Sequence, residues 1–214
     1  MTPQDFITAN SSLSHPPLVP EIKLHLASEV LPLWRATEEE LARIGLPPPY
    51  WAFAWAGGQA LARYVLDHPE IVRGKTVLDI GAGSGLVGLA AVAAGAAQVT
   101  AADIDEFSCA AIRLNAAAND CHLTVTQDDL IGTQGPWEVI LVGDLFYERP
   151  LAERLLAWLT PLGRPALLGD PGRNYFPKSG VQKLASYSVP TPRDLEDREL
   201  RETGVYRLAV GNEA

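Results

Sequence analysis

Three carboxylates and a run of glycines are the residues of this sequence best placed to do chemistry. In VLDIGAGSGLVG, residues 77–88, Gly81, Gly83 and Gly85 fall at alternate positions, with Asp79 just ahead of them. Glycines so spaced let a backbone turn sharply off a strand and pass close to a ligand, where a Cβ has no room and φ is often positive. A helix starting there points its unpaired N–H groups into the same crevice. Asp103 in AADID and Asp144 in VGDLFYE end two further apolar runs. Their plainer alternatives are a tight turn for the glycines and helix caps for the two aspartates.

The identity of the ligand turns on details. A dinucleotide fingerprint reads G-x-G-x-x-G, and setting its first two glycines on Gly81 and Gly83 puts Leu86 where the third belongs. The pattern fails. Asp79 would repel a pyrophosphate but attract a cation, and S-adenosylmethionine offers two, an α-amino group and a sulfonium. Asp103 is placed to accept both hydroxyls of a ribose, while Asp105 suits the cap of the next helix. Asp128 or Asp129 is placed to receive the adenine amino group; an ordinary acidic turn is the competing reading.

These side chains need a sheet to carry them. From residue 76 the chain alternates short apolar runs with longer alanine- and leucine-rich segments: TVLDIG, SGLVGLAAVAAG, AQVTAAD, EFSCAAIRLNAAAND, LTVTQD, WEVILVGD, RPLAERLLAWLTPLG and RPALLGD. Continuous apolar strands separated by helices predict a parallel sheet covered on both faces. LASYSVPT and GVYRLAV, joined by RDLEDRELRET, predict an antiparallel hairpin at its edge. Ahead of this core, Pro3, Pro16, Pro17, Pro20, Pro32 and Pro47 to Pro49 divide the chain into short pieces that must lean on something larger. Residues 1–56 therefore read as an N-terminal extension and 57–214 as the domain. Within the extension, alternating Ile22, Leu24 and Leu26 predict a short strand, and Thr37, Glu40 and Gly45 bracket a helix over 38–44. The extended aromatic segment PPPYWAFAW follows, and Gly57–Gly58 opens a helix carrying Ala60, Leu61, Tyr64 and Val65 on one face.

Composition limits the partners. With 214 residues and 47% hydrophobic content the chain suits one sizeable core. Its 17 Lys+Arg against 26 Asp+Glu leave a net charge of -9, which discourages nucleic acid and anionic membrane surfaces. No apolar stretch reaches the ~20 residues of a membrane span. Cys109 and Cys121 are too few for a disulfide framework and read as free thiols of a reducing compartment. No secretory or organellar leader is recognisable at the N-terminus, so a cytoplasmic location is expected. His15, His25, His68 and His122 share no ligand spacing, and no metal site is expected.

D-I-G-A-G-S-G, A-D-I-D and G-D-L-F-Y together resemble the seven-strand, Rossmann-like methyltransferases that use S-adenosylmethionine. Adding PPPYWAFAWAGGQALARYVLD, VRGKTVLDIGAGSG, VGDLFYE and LLGDPGR narrows the resemblance to the electron transfer flavoprotein β-subunit lysine methyltransferase family, over most of the chain. The resemblance implies a doubly wound α/β sheet, mostly parallel, with an antiparallel edge hairpin. It also implies that Ile104 adjoins the cofactor beside Asp103. A bacterial, cytoplasmic member is expected, because the mitochondrial members carry a targeting peptide.

A lysine acceptor must arrive neutral, and its ordinary pKa is near ~10.4. A neighbouring sulfonium and an apolar pocket both disfavour the ammonium, so catalysis becomes largely a matter of positioning. In that scheme Asp144 orients the lysine amine or the methionine end of the cofactor, and Tyr147 and Phe146 line the lysine channel. A helix cap and core packing are their respective alternatives. Trp55 is expected to close over the cofactor, Trp51 to do so or to join the core, and Trp137 and Trp158 to pack. Arg173, beside the turn acceptor Asp170, is expected to contact substrate. The expected protein is a monomeric protein-lysine methyltransferase. A ribosomal-protein lysine is the alternative acceptor, and a non-catalytic S-adenosylmethionine-binding module the alternative class.

Overall fold

A computed structural model describes residues 2–27, 48–191 and 200–209. Its elements in chain order are α1 (Pro3–Ala9), β1 (Ser12–Ser14), β2 (Leu24–Leu26), α2 (Ala56–Asp67), β3 (Thr76–Ile80), α3 (Leu86–Ala93), β4 (Gln98–Ala102), α4 (Glu106–Ala118), β5 (Thr124–Thr126), β6 (Val139–Gly143), α5 (Arg149–Leu159), β7 (Ala166–Asp170), β8 (Val181–Pro190) and β9 (Leu200–Leu208). Seven strands form one sheet in the order β5-β4-β3-β6-β7-β9-β8. Pairing is parallel from β5 to β7, and β9 and β8 are antiparallel. The expected doubly wound sheet with its hairpin edge is what forms. The chain leaves β3 first toward β4 and later returns to its other side as β6, and a crevice opens where the order reverses, at the carboxyl ends of the strands.

The strands read as unbroken apolar runs because both faces are covered. Val77, Val139, Leu141 and Leu167 pack with Leu61, Val65 and Leu89 of α2 and α3. Their alternate neighbours Leu78, Ile140, Val142 and Leu168 pack with Leu155 and Trp158 of α5 on the opposite side. Each such aliphatic side chain contributes roughly 1.5–3 kcal/mol on burial, so both layers hold the sheet that positions the strand ends.

The N-terminal stretch is more ordered than its prolines suggest. Thr2 accepts from the Asp5 amide while Asp5 accepts from that of Thr2, a capping box with Pro3 at the first turn that starts α1. The expected strand at Ile22–Leu26 forms as β2 and pairs antiparallel with β1. The helix expected over 38–44 lies outside the described residues. Val19, Ile22 and Leu24 enter the core shared by α2 and β9, and Ile7 packs with Trp51, Ala110 and Ala111. Trp51 is therefore core, and Trp137 and Trp158 pack as expected. Among the described residues no helix is long and apolar enough to cross a membrane.

The N-terminus of α2 sits directly on the ends of β6 and β7. A Cβ on Gly57 would strike the Gly169 carbonyl oxygen and lie 2.8 Å from the Asp144 nitrogen, and a Cβ on Gly169 would strike the Gly57 carbonyl. Backbone therefore rests on backbone, which only glycine permits. Gly58 faces open space, with Val87 Cγ2 at 3.9 Å its nearest neighbour. Gly57→Ala should lower stability by about 2–3 kcal/mol or prevent folding, whereas Gly58→Ala should be neutral or stabilising by up to ~1 kcal/mol. Guanidinium unfolding of both variants checks the contrast, and equal effects would refute this account of the α2 seat.

Candidate active site

The glycine loop, residues 81–85, links β3 to α3 and lines the crevice. Gly81, Gly83 and Gly85 have φ of 63°, 53° and 80°, left-handed values that other residues rarely adopt. Three tethers fix the loop. The Ala82 amide donates to the Ala102 carbonyl at 3.1 Å, the Gly83 amide donates to Asp103 Oδ2 at 2.8 Å, and the Asn115 side-chain amide donates to the Ser84 carbonyl at 2.8 Å. Gly85 caps α3 without a side-chain hydrogen bond. The Gly88 amide in the first turn of α3 donates to Asp79 Oδ2 at 2.8 Å, so Asp79 acts as a remote cap. A Cβ at Gly88 would crowd that carboxylate at 3.1 Å.

Asp79 is 1% exposed. Burial pushes its carboxyl up to about 7, the Gly88 amide opposes the shift, and the nearby Asp103 charge reinforces it. Burial likewise raises Asp103, against the amides of Asp105 and Gly83, and the Asp105 charge adds to the rise. Asp105 is the cap expected of it, accepting from the Phe107 and Ser108 amides. The wall nearest the glycine loop thus carries two carboxyls held by backbone N–H groups, which gain from an added cation.

The four residues Asp144-Leu145-Phe146-Tyr147 after β6 point four ways. Asp144 adopts φ 62°, a region aspartate tolerates better than most residues. Its Oδ2 accepts from the Gly57 amide at 2.8 Å and its Oδ1 from Arg173 Nε at 2.6 Å. Its carboxylate is thereby a cap for α2, not for the helix that follows it. Leu145 covers the loop, since a Cβ at Gly81 would meet its methyl groups at 2.5 and 2.6 Å. Phe146 is fully buried, packed edge-on against Phe176 in the lower core. It does not line the crevice as expected, because beyond the left-handed turn at Asp144 its ring goes under the sheet, while Leu145 and Tyr147 on either side of it stay at the cavity. Tyr147 faces the mouth, 36% exposed, with its ring 5.6 Å from that of Tyr50. Burial and the neighbouring Tyr50 and Glu148 raise its phenol well above the usual range.

Trp55 completes this side. Its indole N–H donates to the Tyr50 carbonyl at 2.9 Å, its ring meets Phe53 edge-on, and the Arg173 guanidinium lies 5.9 Å from the ring centre. Arg173 is aimed here by Asp170, whose Oδ1 accepts from the Gly172 and Arg173 amides at 2.7 Å each.

A single cavity of about 430 Å³ joins these groups, within the size range of small-molecule sites. Asp79, Gly81, Gly83, Asp103, Ile104, Asp144, Tyr147, Trp55 and Arg173 line it, and so do both Asp128 and Asp129, whereas Gly85, expected to join them, backs onto Ile112 of α4. Ile104 is 70% exposed beside Asp103 and, with Leu130 and Ile131, offers an apolar slot of the kind a purine fills. Asp129 is engaged by Arg154 at 2.7 Å and by the Ile131 amide, whereas Asp128 bonds, among the described residues, within its own turn to Thr126. The cavity thus offers carboxylates for hydroxyls and cations at its centre, an apolar slot at one end and an aromatic mouth at the other. That donor set fits S-adenosylmethionine.

Comparison with known proteins agrees. The family model for ribosomal protein L11 methyltransferase matches residues 59–144. The electron transfer flavoprotein beta subunit lysine methyltransferase of Xenopus laevis is 41% identical over 214 residues, covering 95% of this chain and 86% of that protein. This chain belongs to that family. The Rattus norvegicus member is 38% identical, covering 88% of this chain and 77% of its own length. Among solved structures, magnesium protoporphyrin IX methyltransferase from Synechocystis with bound S-adenosylmethionine superposes with TM-score 0.55 at 17% identity, covering 73% of this chain and 80% of that one. Family membership makes this chain a methyltransferase, in which the crevice described above is the candidate reaction site.

The sequence alone assigns no role to several residues found at this site, among them Leu130, Ile131 and Leu145 of the cavity wall. Tyr50 lay in the aromatic segment without an assigned role, and Asn115 was one polar position on a helix read for its apolar face.

The raised carboxyls make stability depend on pH. Asp79 binds its proton more tightly folded than unfolded, from about 7 against an ordinary 3.8, so the ligand-free protein loses stability as pH rises through that window. Asp170, pushed up to about 6, adds a loss of the same sign at lower pH. The unfolding free energy should fall between pH 5 and pH 7.5 by an amount on the order of a few kcal/mol, read as a matching fall in thermal midpoint. Asp79→Asn, which keeps an acceptor for Gly88, should flatten the part above pH 6 and leave the Asp170 part. Parallel pH profiles for the two proteins would refute the assignment.

Proposed function

We propose that this chain methylates lysine side chains of the electron transfer flavoprotein beta subunit, using S-adenosylmethionine. The relationship to the named family members carries the substrate reading, because it extends across the mouth as well as the cofactor loop. S-adenosylmethionine, when bound, supplies the electrophilic methyl group. Asp79 and Asp103 hold its cationic and ribose portions, Ile104 and Leu130 flank the adenine, and Asp128, which among the described residues bonds within its own turn, is better placed than Asp129, held by Arg154, to accept from the adenine amino group.

The rest is positioning by this chain's own residues. Both oxygens of Asp144 already have donors, so Asp144 holds Arg173 and the α2 N-terminus in place and takes no proton. The target amine sheds its proton to solvent as it enters, because desolvation between Tyr147, Tyr50 and Trp55 disfavours the ammonium form. Those walls keep attracting an amine as methyl groups replace its hydrogen-bond donors.

The L11 methyltransferase match ends at Asp144 and so covers the donor half of the site. It bears on the acceptor only weakly. The free thiols, Cys109 buried and Cys121 half-buried, suit the reducing cytoplasm expected above.

Incubating the protein with S-adenosylmethionine and recombinant beta subunit should produce methyl-lysine by mass spectrometry. Methylation of a ribosomal protein in lysate, with the beta subunit untouched, would favour the alternative acceptor, and no calorimetric binding of the donor or its demethylated product would refute the enzyme. Asp144→Ala should lower kcat/KM about 100-fold or more through lost positioning and destabilise by about 2–3 kcal/mol, with product affinity changed less than about fivefold. Full activity in that variant would overturn its role.

A further inference from the structure

The best-fixed contact of the cofactor loop comes from a residue with no place in the reaction. Asn115, on α4, is fully buried. Its Nδ2 donates to the Ser84 carbonyl at 2.8 Å, and its Oδ1 accepts from the His25 amide of β2 at 2.7 Å. At the carboxyl end of α4 its cap residue Asn119 grips Lys23, just ahead of β2, without touching the loop, accepting from the Lys23 amide at 2.9 Å and donating to the Lys23 carbonyl at 2.7 Å. Just beyond β2, the Ala27 amide donates to the Ala52 carbonyl at 3.0 Å, in the segment that carries Tyr50, Phe53 and Trp55 to the mouth.

We infer that Asn115 is a positioning residue through which the N-terminal β1–β2 hairpin sets the cofactor loop, making the extension a working part of the cofactor site. A buried amide with one donor and one acceptor each used is replaceable by no other side chain of its size. Losing it leaves the Ser84 carbonyl and the His25 amide without partners in a dry setting, and the loop, whose three glycines allow many backbone conformations, gains the freedom that Asn115 removes. Ser84 lies between Gly83 and Gly85, so the displaced atoms are those that face the cofactor.

This inference rests on the cofactor reading above, and the two can fail separately. Asn115→Ala releases β2 at His25 and Asn119→Ala releases Lys23 just ahead of it, but only the first releases the loop. Asn115→Ala should raise the calorimetric Kd for S-adenosylhomocysteine on the order of tenfold or more. It should raise the KM for S-adenosylmethionine alike, with kcat and the KM for the protein acceptor changed less than about threefold. Asn119→Ala, matched for thermal midpoint, should leave the cofactor constants within about twofold. In the ligand-free protein, hydrogen exchange of the Gly81–Gly85 amides should quicken in the first variant only. If Asn115→Ala does not fold, Asn115→Asp keeps the His25 acceptor, removes the Ser84 donor and should show the same cofactor defect. Unchanged affinity in the Asn115 variants, or an equal loss in Asn119→Ala, would overturn the proposal. Failure of the wild-type protein to bind the cofactor would refute the functional reading, while the exchange experiment would still decide the coupling.

Discussion

The contact on which the rest of the site depends is the seating of the α2 N-terminus on the ends of β6 and β7. Gly57 and Gly169 bring the two backbones together, and Asp144 fastens the contact by accepting the Gly57 amide. The geometry leaves Asp144 little freedom. The Gly169 carbonyl of β7 accepts its amide at 2.9 Å, its backbone is left-handed, and its second carboxylate oxygen holds Arg173. Moving α2 by the width of a methyl group would displace Trp55 at one end of the contact and Arg173 at the other. The aromatic mouth is thus built outward from a helix cap.

A second cap works the same way across the crevice. Asp79 reaches from β3 to the first turn of α3, and Gly88 leaves it room. In both places an aspartate near a strand end satisfies an amide that the helix cannot satisfy internally. The two differ in compensation. Asp144 has a guanidinium partner, whereas Asp79 and Asp103 are held by backbone amides, and burial pushes their carboxyls upward against those amides. These two carboxyls lie on the loop side, where the reading of this site places a cation.

Much of this was legible in the sequence, and what was not has physical reasons. Apolar runs such as VLDI and VILV identify strands covered on both faces, because Val77 and Leu78 bury into opposite layers. Asp105 was legible as a cap, since its partners are the next two or three residues. The partners of Asp144 and Asn115 lie far along the chain, at Gly57 and at His25 and Ser84, and no local pattern encodes such pairings. Phe146 shows a third limit. Its placement under the sheet follows from the left-handed turn at Asp144, and backbone handedness at a non-glycine residue leaves little trace in residue type. Thr2-Pro3-Gln4-Asp5 is the reverse case, a capping signature that was present but outweighed by the surrounding prolines.

The division of the chain at residue 56 also takes on a different meaning. Residues before it supply Tyr50, Phe53 and Trp55 to the mouth and Val19, Ile22 and Leu24 to the core beneath α2. Glu21 pairs with Arg63 of α2 at 2.6 Å, and an exposed pair of this kind adds little by itself. The buried amides of Asn115, together with the half-buried ones of Asn119, do more, because each bond they make replaces water at groups that would otherwise be stranded. A segment tied to the sheet domain by shared core and buried amides cannot come away without exposing apolar surface and opening the cofactor loop together. Its sequence can therefore constrain the site as strongly as the glycine loop does, although none of its described residues before Pro48 lines the cavity.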